Sequence, residues 1–168
     1  GVGMKNIAEG TSHIAMASRE VTSDEISQFG DKFNENLIAY DGIIIAVSRE
    51  IYDAGVTNLT REQVKKIYSG ETTNWKDLGG PDEEMLVVGR EQGSGTRDTF
   101  NEEIMGDKKA ETSGVNTVAG SNAEIRTALT GSDKAIGYIG FSYAEDDAVG
   151  AIALDGVAAS EETIKDGS

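Results

Sequence analysis

Met85-Leu86-Val87-Val88-Gly89-Arg90-Glu91-Gln92-Gly93-Ser94-Gly95-Thr96-Arg97-Asp98-Thr99-Phe100 is the stretch on which the reading of this chain turns. The apolar run Met85 to Val88 predicts a strand, and Thr96 to Met105, with Phe100 and Ile104 one turn apart, predicts a helix. Between them lies Gly93-Ser94-Gly95-Thr96. A loop of that composition offers unpaired backbone N–H groups, two hydroxyls and the positive end of a helix dipole, the parts from which an oxyanion site is built. Arg90 and Arg97 bracket it with guanidinium groups that can hold an oxyanion through two parallel hydrogen bonds. A plain strand-to-helix turn with a Ser or Thr cap would use the same four residues. The two flanking arginines favour binding of a small tetrahedral anion.

Two other loop chemistries are excluded by the letters themselves. The segment lacks the Gly-Lys-Ser/Thr ending of a phosphate loop that hydrolyses nucleoside triphosphates. It is not a nucleophile elbow either, because Ser94 has glycine on both sides.

Working outward, strands and helices alternate. Residues 4–10 read as a helix closed by Gly10, His13 to Ala17 as a short strand with Ser18-Arg19 at its end, and Ser23-Asp24-Glu25 as a helix start. Leu37 to Tyr40 and Ile43 to Val47 are apolar enough for strands buried on both faces. Thr60 with Gln63 has capping-box spacing and opens a helix that stops at Gly70, and Ser121 with Glu124 repeats the pattern. Ala135 to Ile139 and Ala151 to Leu154 are further strands, Ser160 caps a last short helix, and Lys108 to Gly114 is the most loop-like stretch. The pattern predicts an α/β fold with mainly parallel pairing. In such sheets ligands sit where strands end and helices begin, which places Gly1-Val2-Gly3, Ser18-Arg19 and Gly93 to Arg97 as candidates to converge.

The chain has 168 residues, enough for one ordinary domain or two small lobes. With no cysteine, disulfides, thiolate metal sites and a Cys nucleophile are excluded. A formal net charge of −15 argues against nucleic acid and acidic membrane surfaces as partners. An anion binder tolerates that total, because at physiological salt charges beyond a Debye length of about 8 Å are largely screened. No apolar run approaches the roughly 20 residues that span a bilayer. No signal peptide is visible at Gly1, which reads as a mature or trimmed start. His13, the only histidine, is read as a structural residue. The pairs Glu83-Glu84, Glu102-Glu103, Asp146-Asp147 and Glu161-Glu162 are read as solvated surface, and Trp75 and Tyr138 as packing residues.

Gly89 to Phe100 resembles the phosphate loop of the phosphate-binding proteins that deliver phosphate to ABC importers, members of the type II periplasmic-binding-protein fold. Ile14 to Glu20, Tyr40-Asp41-Gly42-Ile43, Ile67-Tyr68-Ser69-Gly70 with Asn74-Trp75, and Ala135 to Gly140 match the same family in the same order. The resemblance implies two lobes with mainly parallel sheets and helices on both faces: residues 1–41 in lobe 1, 42–140 as the inserted lobe 2, and 141–168 returning to lobe 1. It implies ligand contacts from Arg90, Ser94, Gly95 and Thr96, with Ser18 and Arg19 approaching from the other lobe and Arg97 as a weaker contact. It implies a non-enzymatic, extracytoplasmic receptor for inorganic phosphate, membrane-tethered in the full-length protein, working with a membrane permease and needing no cofactor or metal.

Two departures from the family pattern stand out. The first strand, the first phosphate-contacting loop and the Ser before Gly1-Val2-Gly3 are missing, and the chain stops at Ser168 where members continue. A fragment with an incomplete first lobe is therefore expected, and a second copy is one way to cover its strand edges. Arg19 stands where some members place an Asp that accepts a proton from hydrogen phosphate, and arginine accepts no hydrogen bond. Sulfate, molybdate or an organic phosphate are rival ligands, a phosphoryl- or acyl-transfer enzyme using Ser94 is a further alternative, and so is a module that binds nothing.

Overall fold

The computed structural model describes residues 2–16, 21–40, 42–144 and 146–166. Ser18 and Arg19, and Gly1 of the first candidate loop, lie outside the described residues. The chain divides into two compact units, Gly1–Tyr40 and Asp41–Ser168.

The first unit holds two short helices, α1 (Val2–Ala8) and α2 (Ser23–Phe29). Thr22 caps α2 with its hydroxyl on the Glu25 N–H, while the Glu25 carboxylate takes the Thr22 N–H in return. Lys32 Nζ donates to the Ala8 carbonyl at 2.9 Å and ties the two helical pieces together. Of the strand expected at His13–Ala17, Ala17 lies outside the described residues and residues 13–16 form no strand, nor does Leu37–Tyr40. A strand exists only as half of a ladder, and among the described residues neither segment has a pairing partner. Their apolar side chains stay in solvent, with Ile14 86% and Ile38 83% exposed.

The second unit is built on β1 (Ile43–Ser48), which runs into the short helix α3 (Arg49–Asp53). There follow β2 (Asn58–Leu59), α4 (Arg61–Ser69), β3 (Leu86–Arg90) and α5 (Gly95–Phe100), which continues as a π-helical turn over Asn101–Met105. β4 (Thr117–Ala119), α6 (Asn122–Thr130), β5 (Ala135–Gly140), β6 (Val149–Ala151), β7 (Ala153–Leu154) and α7 (Glu161–Asp166) complete it. The main sheet has the order β4-β3-β5-β1-β6. β3 is parallel to β4 and to β5, whereas β1 runs against both β5 and β6, so one strand of five opposes the rest.

Alternation along β1 shows why the run 43–47 is apolar throughout. Ile45 and Val47 face a core with Val64, Ile67, Trp75 and Phe100, while Ile44 and Ala46 face one with Ile125, Leu129 and Ile139. Helices cover both faces. Gly137 sits where α6 crosses β5: a Cβ there would lie 2.8 Å from Ile125 Cγ2, so only glycine lets the helix lie this close. Trp75 and Tyr138 are both buried, as packing residues should be.

Two boundaries differ from expectation. Ala151 to Leu154 is not one strand, because the chain changes sheets at Ile152: its N–H goes to Ile45 while the next, Ala153, donates to Thr57. Residues 141–168 were expected to rejoin the first lobe at residue 141. Instead β6 pairs with β1, β7 pairs with β2, and Val149 and Ile152 enter the two cores, so this stretch belongs to the second unit.

Candidate functional site

β3 ends at Arg90, at the C-terminal end of three parallel neighbours, and the chain turns into α5 through Glu91 to Ser94. Gly93 takes φ +86°, a left-handed conformation that costs glycine little, and the Ser94 N–H closes the turn on the Glu91 carbonyl at 3.4 Å. Ser94 caps α5: its Oγ accepts from the Arg97 N–H at 3.3 Å and its carbonyl from Asp98 at 3.0 Å. With the hydroxyl oxygen accepting there, its O–H proton remains available to donate. The N–H groups of Gly95 and Thr96 find no acceptor among the described residues, the ordinary state of a helix first turn. Gly95 and Thr96 are half-buried, and Ser94 is buried. The result is two free amides, a donating hydroxyl and a helix dipole on one rim.

An aromatic trio supports this rim from below. Tyr68, Phe100 and Tyr138 pack together, with the Phe100 and Tyr138 rings stacked at 4.1 Å and Tyr68 4.6 Å from Phe100. Tyr68 Oη donates to the Val88 carbonyl at 3.1 Å. The Tyr138 hydroxyl accepts the Arg90 N–H at 3.0 Å, standing in for a ladder bond. Burial raises the pKa of both phenols, Tyr68 most strongly, so both remain neutral donors and acceptors.

The Arg90 side chain is nearly buried and is not turned to solvent, its accessibility being 10%. Nε donates to Glu91 Oε2 and Nη2 to Glu91 Oε1, both at 3.0 Å, a two-point fork. Nη1 reaches Asn122 Oδ1 at 3.3 Å, and Nη2 lies 3.5 Å from the Gly120 carbonyl. The sequence pattern assigned this fork to an oxyanion; the structure gives it to a neighbouring carboxylate. Arg97 donates through Nη1 to the Arg90 carbonyl at 3.1 Å and makes no ion pair among the described residues. Of the candidates, Arg90, Ser94, Gly95, Thr96 and Arg97 therefore share one loop. Glu91, Asn122 and the Tyr138 hydroxyl are the residues that the sequence reading missed here. Asn122 lies 32 positions from Arg90, and only knowledge that β4 neighbours β3 could have paired them.

The Arg90 fork holds the Glu91 carboxyl below its ordinary value of 4.5, with Arg97 a smaller contributor in the same direction. A carboxyl depressed on folding adds stability above its unfolded pKa and loses that contribution as pH falls through the folded one. From about pH 5 downward, wild-type protein should lose more stability than a Glu91→Gln variant. Urea midpoints at stepped pH check this; parallel curves would show the pair to be energetically idle, as many half-exposed pairs are.

His13 is exposed and outside any strand. The paired carboxylates are surface groups: Glu102 meets Lys108 and Asp146 meets Arg126 in exposed ion pairs. No helix among the described residues is long and apolar enough to cross a membrane.

This architecture, a largely parallel sheet with helices on both faces and a glycine-serine loop opening a helix at its strand ends, is that of the type II periplasmic-binding-protein folds. The chain belongs to the PBP superfamily domain family, whose pattern it matches over residues 1–168. It is 33% identical over 159 residues to the phosphate-binding protein PstS of Bacillus subtilis, a match that covers 94% of this chain and 50% of the relative. The PstS of Borreliella burgdorferi is 35% identical over 152 residues, 86% of this chain and 52% of that one. Among solved structures, a Clostridium perfringens protein assigned as a phosphate ABC transporter substrate-binding protein, crystallised with bound phosphate, superposes with a TM-score of 0.85 at 44% identity. That match covers 98% of this chain and 65% of the other. An ABC-type phosphate transport receptor from Vibrio cholerae gives a TM-score of 0.73 at 32% identity, over 99% and 66% of the two chains. The chain spans about half the length of the curated relatives that it matches.

Proposed function

We propose that this chain is part of a receptor for inorganic phosphate that serves an ABC importer. The observation that carries the reading is the pair of Gly95 and Thr96 amides at the start of α5, which have no acceptor among the described residues, with the Ser94 O–H beside them and two guanidinium groups on the same loop. Relatives named for phosphate binding, and a similar structure holding phosphate, support that choice of anion. In this reading Gly95, Thr96 and Ser94 donate to the phosphate oxygens, Arg90 and Arg97 supply positive charge, and Ser18 and Arg19 are further ligand contacts. Residues 1–41 would belong to a second lobe.

The protein would bind phosphate without transforming it. The Ser94 hydroxyl oxygen caps α5, its O–H proton is left to donate to the anion, and no general base stands beside it among its described partners. An extracytoplasmic location, a membrane tether in the complete protein and a permease partner follow from the same reading.

Calorimetric titration with phosphate, sulfate and molybdate is the test. Phosphate is expected to bind most tightly and, at concentrations well above its Kd, to raise the thermal midpoint by the linkage RT ln(1 + [L]/Kd). A midpoint unmoved by phosphate would leave a module that binds nothing, and a preference for sulfate would change the ligand while keeping the loop. Turnover of a chromogenic phosphate ester, abolished by Ser94→Ala, would replace a receptor with an enzyme.

A further inference from the structure

Resting on that reading of the site, we propose that Asn122 is a positioning residue for anion binding, acting through Arg90. A guanidinium carries five N–H donors. Among the described residues four of Arg90's have acceptors: the Nε–H and one Nη2–H on Glu91, the other Nη2–H towards Gly120, and one Nη1–H on Asn122. One N–H is left, on Nη1. Arg90 therefore meets an anion through a single donor, and the group that decides where this donor points is the acceptor of its twin, Asn122 Oδ1.

The fold makes Asn122 suited to that task. β3 and β4 are parallel neighbours with Arg90 opposite Ala119, so the loops leaving them run side by side and Arg90 bridges them. Asn122 is the first residue of α6, and its backbone is fixed from both sides. Ser121 Oγ accepts from the Glu124 N–H at 3.2 Å, and Glu124 Oε2 accepts from the Gly120 N–H at 2.8 Å. An acceptor on so constrained a helix start holds the Nη1 end of the guanidinium while Glu91 holds the Nε end. Glu91 alone fixes the plane from one edge and leaves Nη1 without a protein partner.

The test is a double-mutant cycle on phosphate affinity, run at concentrations high enough to saturate the weakest variant. Asn122→Ala is expected to weaken binding about three- to ten-fold in the wild-type background and to have no effect in the Arg90→Ala background. A second readout is the Arg90 side-chain 15N spectrum without ligand. The slowly exchanging Nη1 protons should vanish in Asn122→Ala, persist in Asn122→Asp, which keeps an acceptor in place, and leave the Nε–H on Glu91 unchanged. Affinity unmoved by Asn122→Ala, or lowered equally with and without Arg90, overturns the inference while leaving the site intact. A wild-type chain that takes up no phosphate overturns the site reading and this inference together.

Discussion

Arg90→Ala is expected to weaken phosphate binding by about 100-fold, the largest functional effect of any single substitution in the loop. One part of the loss is the charge-assisted hydrogen bond itself, for which about 1.5–3 kcal/mol is typical. The other part comes from Glu91. Its carboxylate is held by the Arg90 fork at 3.0 Å on both oxygens, and removing the guanidinium leaves an unpaired negative charge in the loop that should receive an anion. The second part can be isolated. Arg90→Ala combined with Glu91→Gln should bind phosphate more tightly than Arg90→Ala alone, because the double variant lacks the repulsion. Arg90→Lys should recover little, since a lysine carries the charge but cannot occupy Glu91 and Asn122 at once. Calorimetry on the four proteins decides the matter. A single variant within about threefold of wild type would mean that Arg90 only ties two loops together and that Arg97 carries the site's charge.

What the sequence disclosed and what it hid follow from the range of the interactions. Thr60 with Gln63 and Ser121 with Glu124 are local patterns, and the helices they announce begin where expected. The detail at Ser121 is different, however: the Glu124 side chain turns to Gly120 rather than back to the cap. β1, β3 and β5 were legible because strands buried on both faces leave unbroken apolar runs. His13–Met16 and Leu37–Tyr40 carry the same apolar signal without a ladder, so composition alone overcalled them. Ser48 shows the opposite failure. It is fully buried, donates to the Leu129 carbonyl at 3.0 Å and accepts from Ala135 at 2.9 Å, yet in the sequence it is only a small polar residue at a strand end. The candidate loop was readable as glycine, serine and arginine at fixed spacing. Arg90's engagement was not, because neither an adjacent glutamate nor an asparagine on another helix leaves a periodic trace.

The largest loss of stability should come from Trp75→Ala, at about 3–5 kcal/mol. Trp75 is fully buried among Val56, Leu59, Val64 and Ile136 in the core beneath the sheet. Its Nε1–H donates to the Lys134 carbonyl at 2.9 Å, immediately before β5, so the ring is both filler and tether. Its backbone is fixed as well: its N–H goes to Glu83 at 3.0 Å and its carbonyl takes the Gly80 N–H at 3.0 Å. A truncated side chain therefore cannot be made good by backbone collapse, and most of the ring volume would persist as a cavity. Trp75→Phe separates the two contributions. It retains much of the packing but removes one of the two donors to the Lys134 carbonyl, which keeps the Leu86 N–H at 3.1 Å, and should cost about 1–2 kcal/mol. Urea unfolding of the three proteins is the measurement, with midpoints falling in the order wild type, Phe, Ala and with equal m-values. Equal midpoints for Phe and Ala would show that the indole hydrogen bond to Lys134, and not the ring's volume, is what Trp75 contributes to stability.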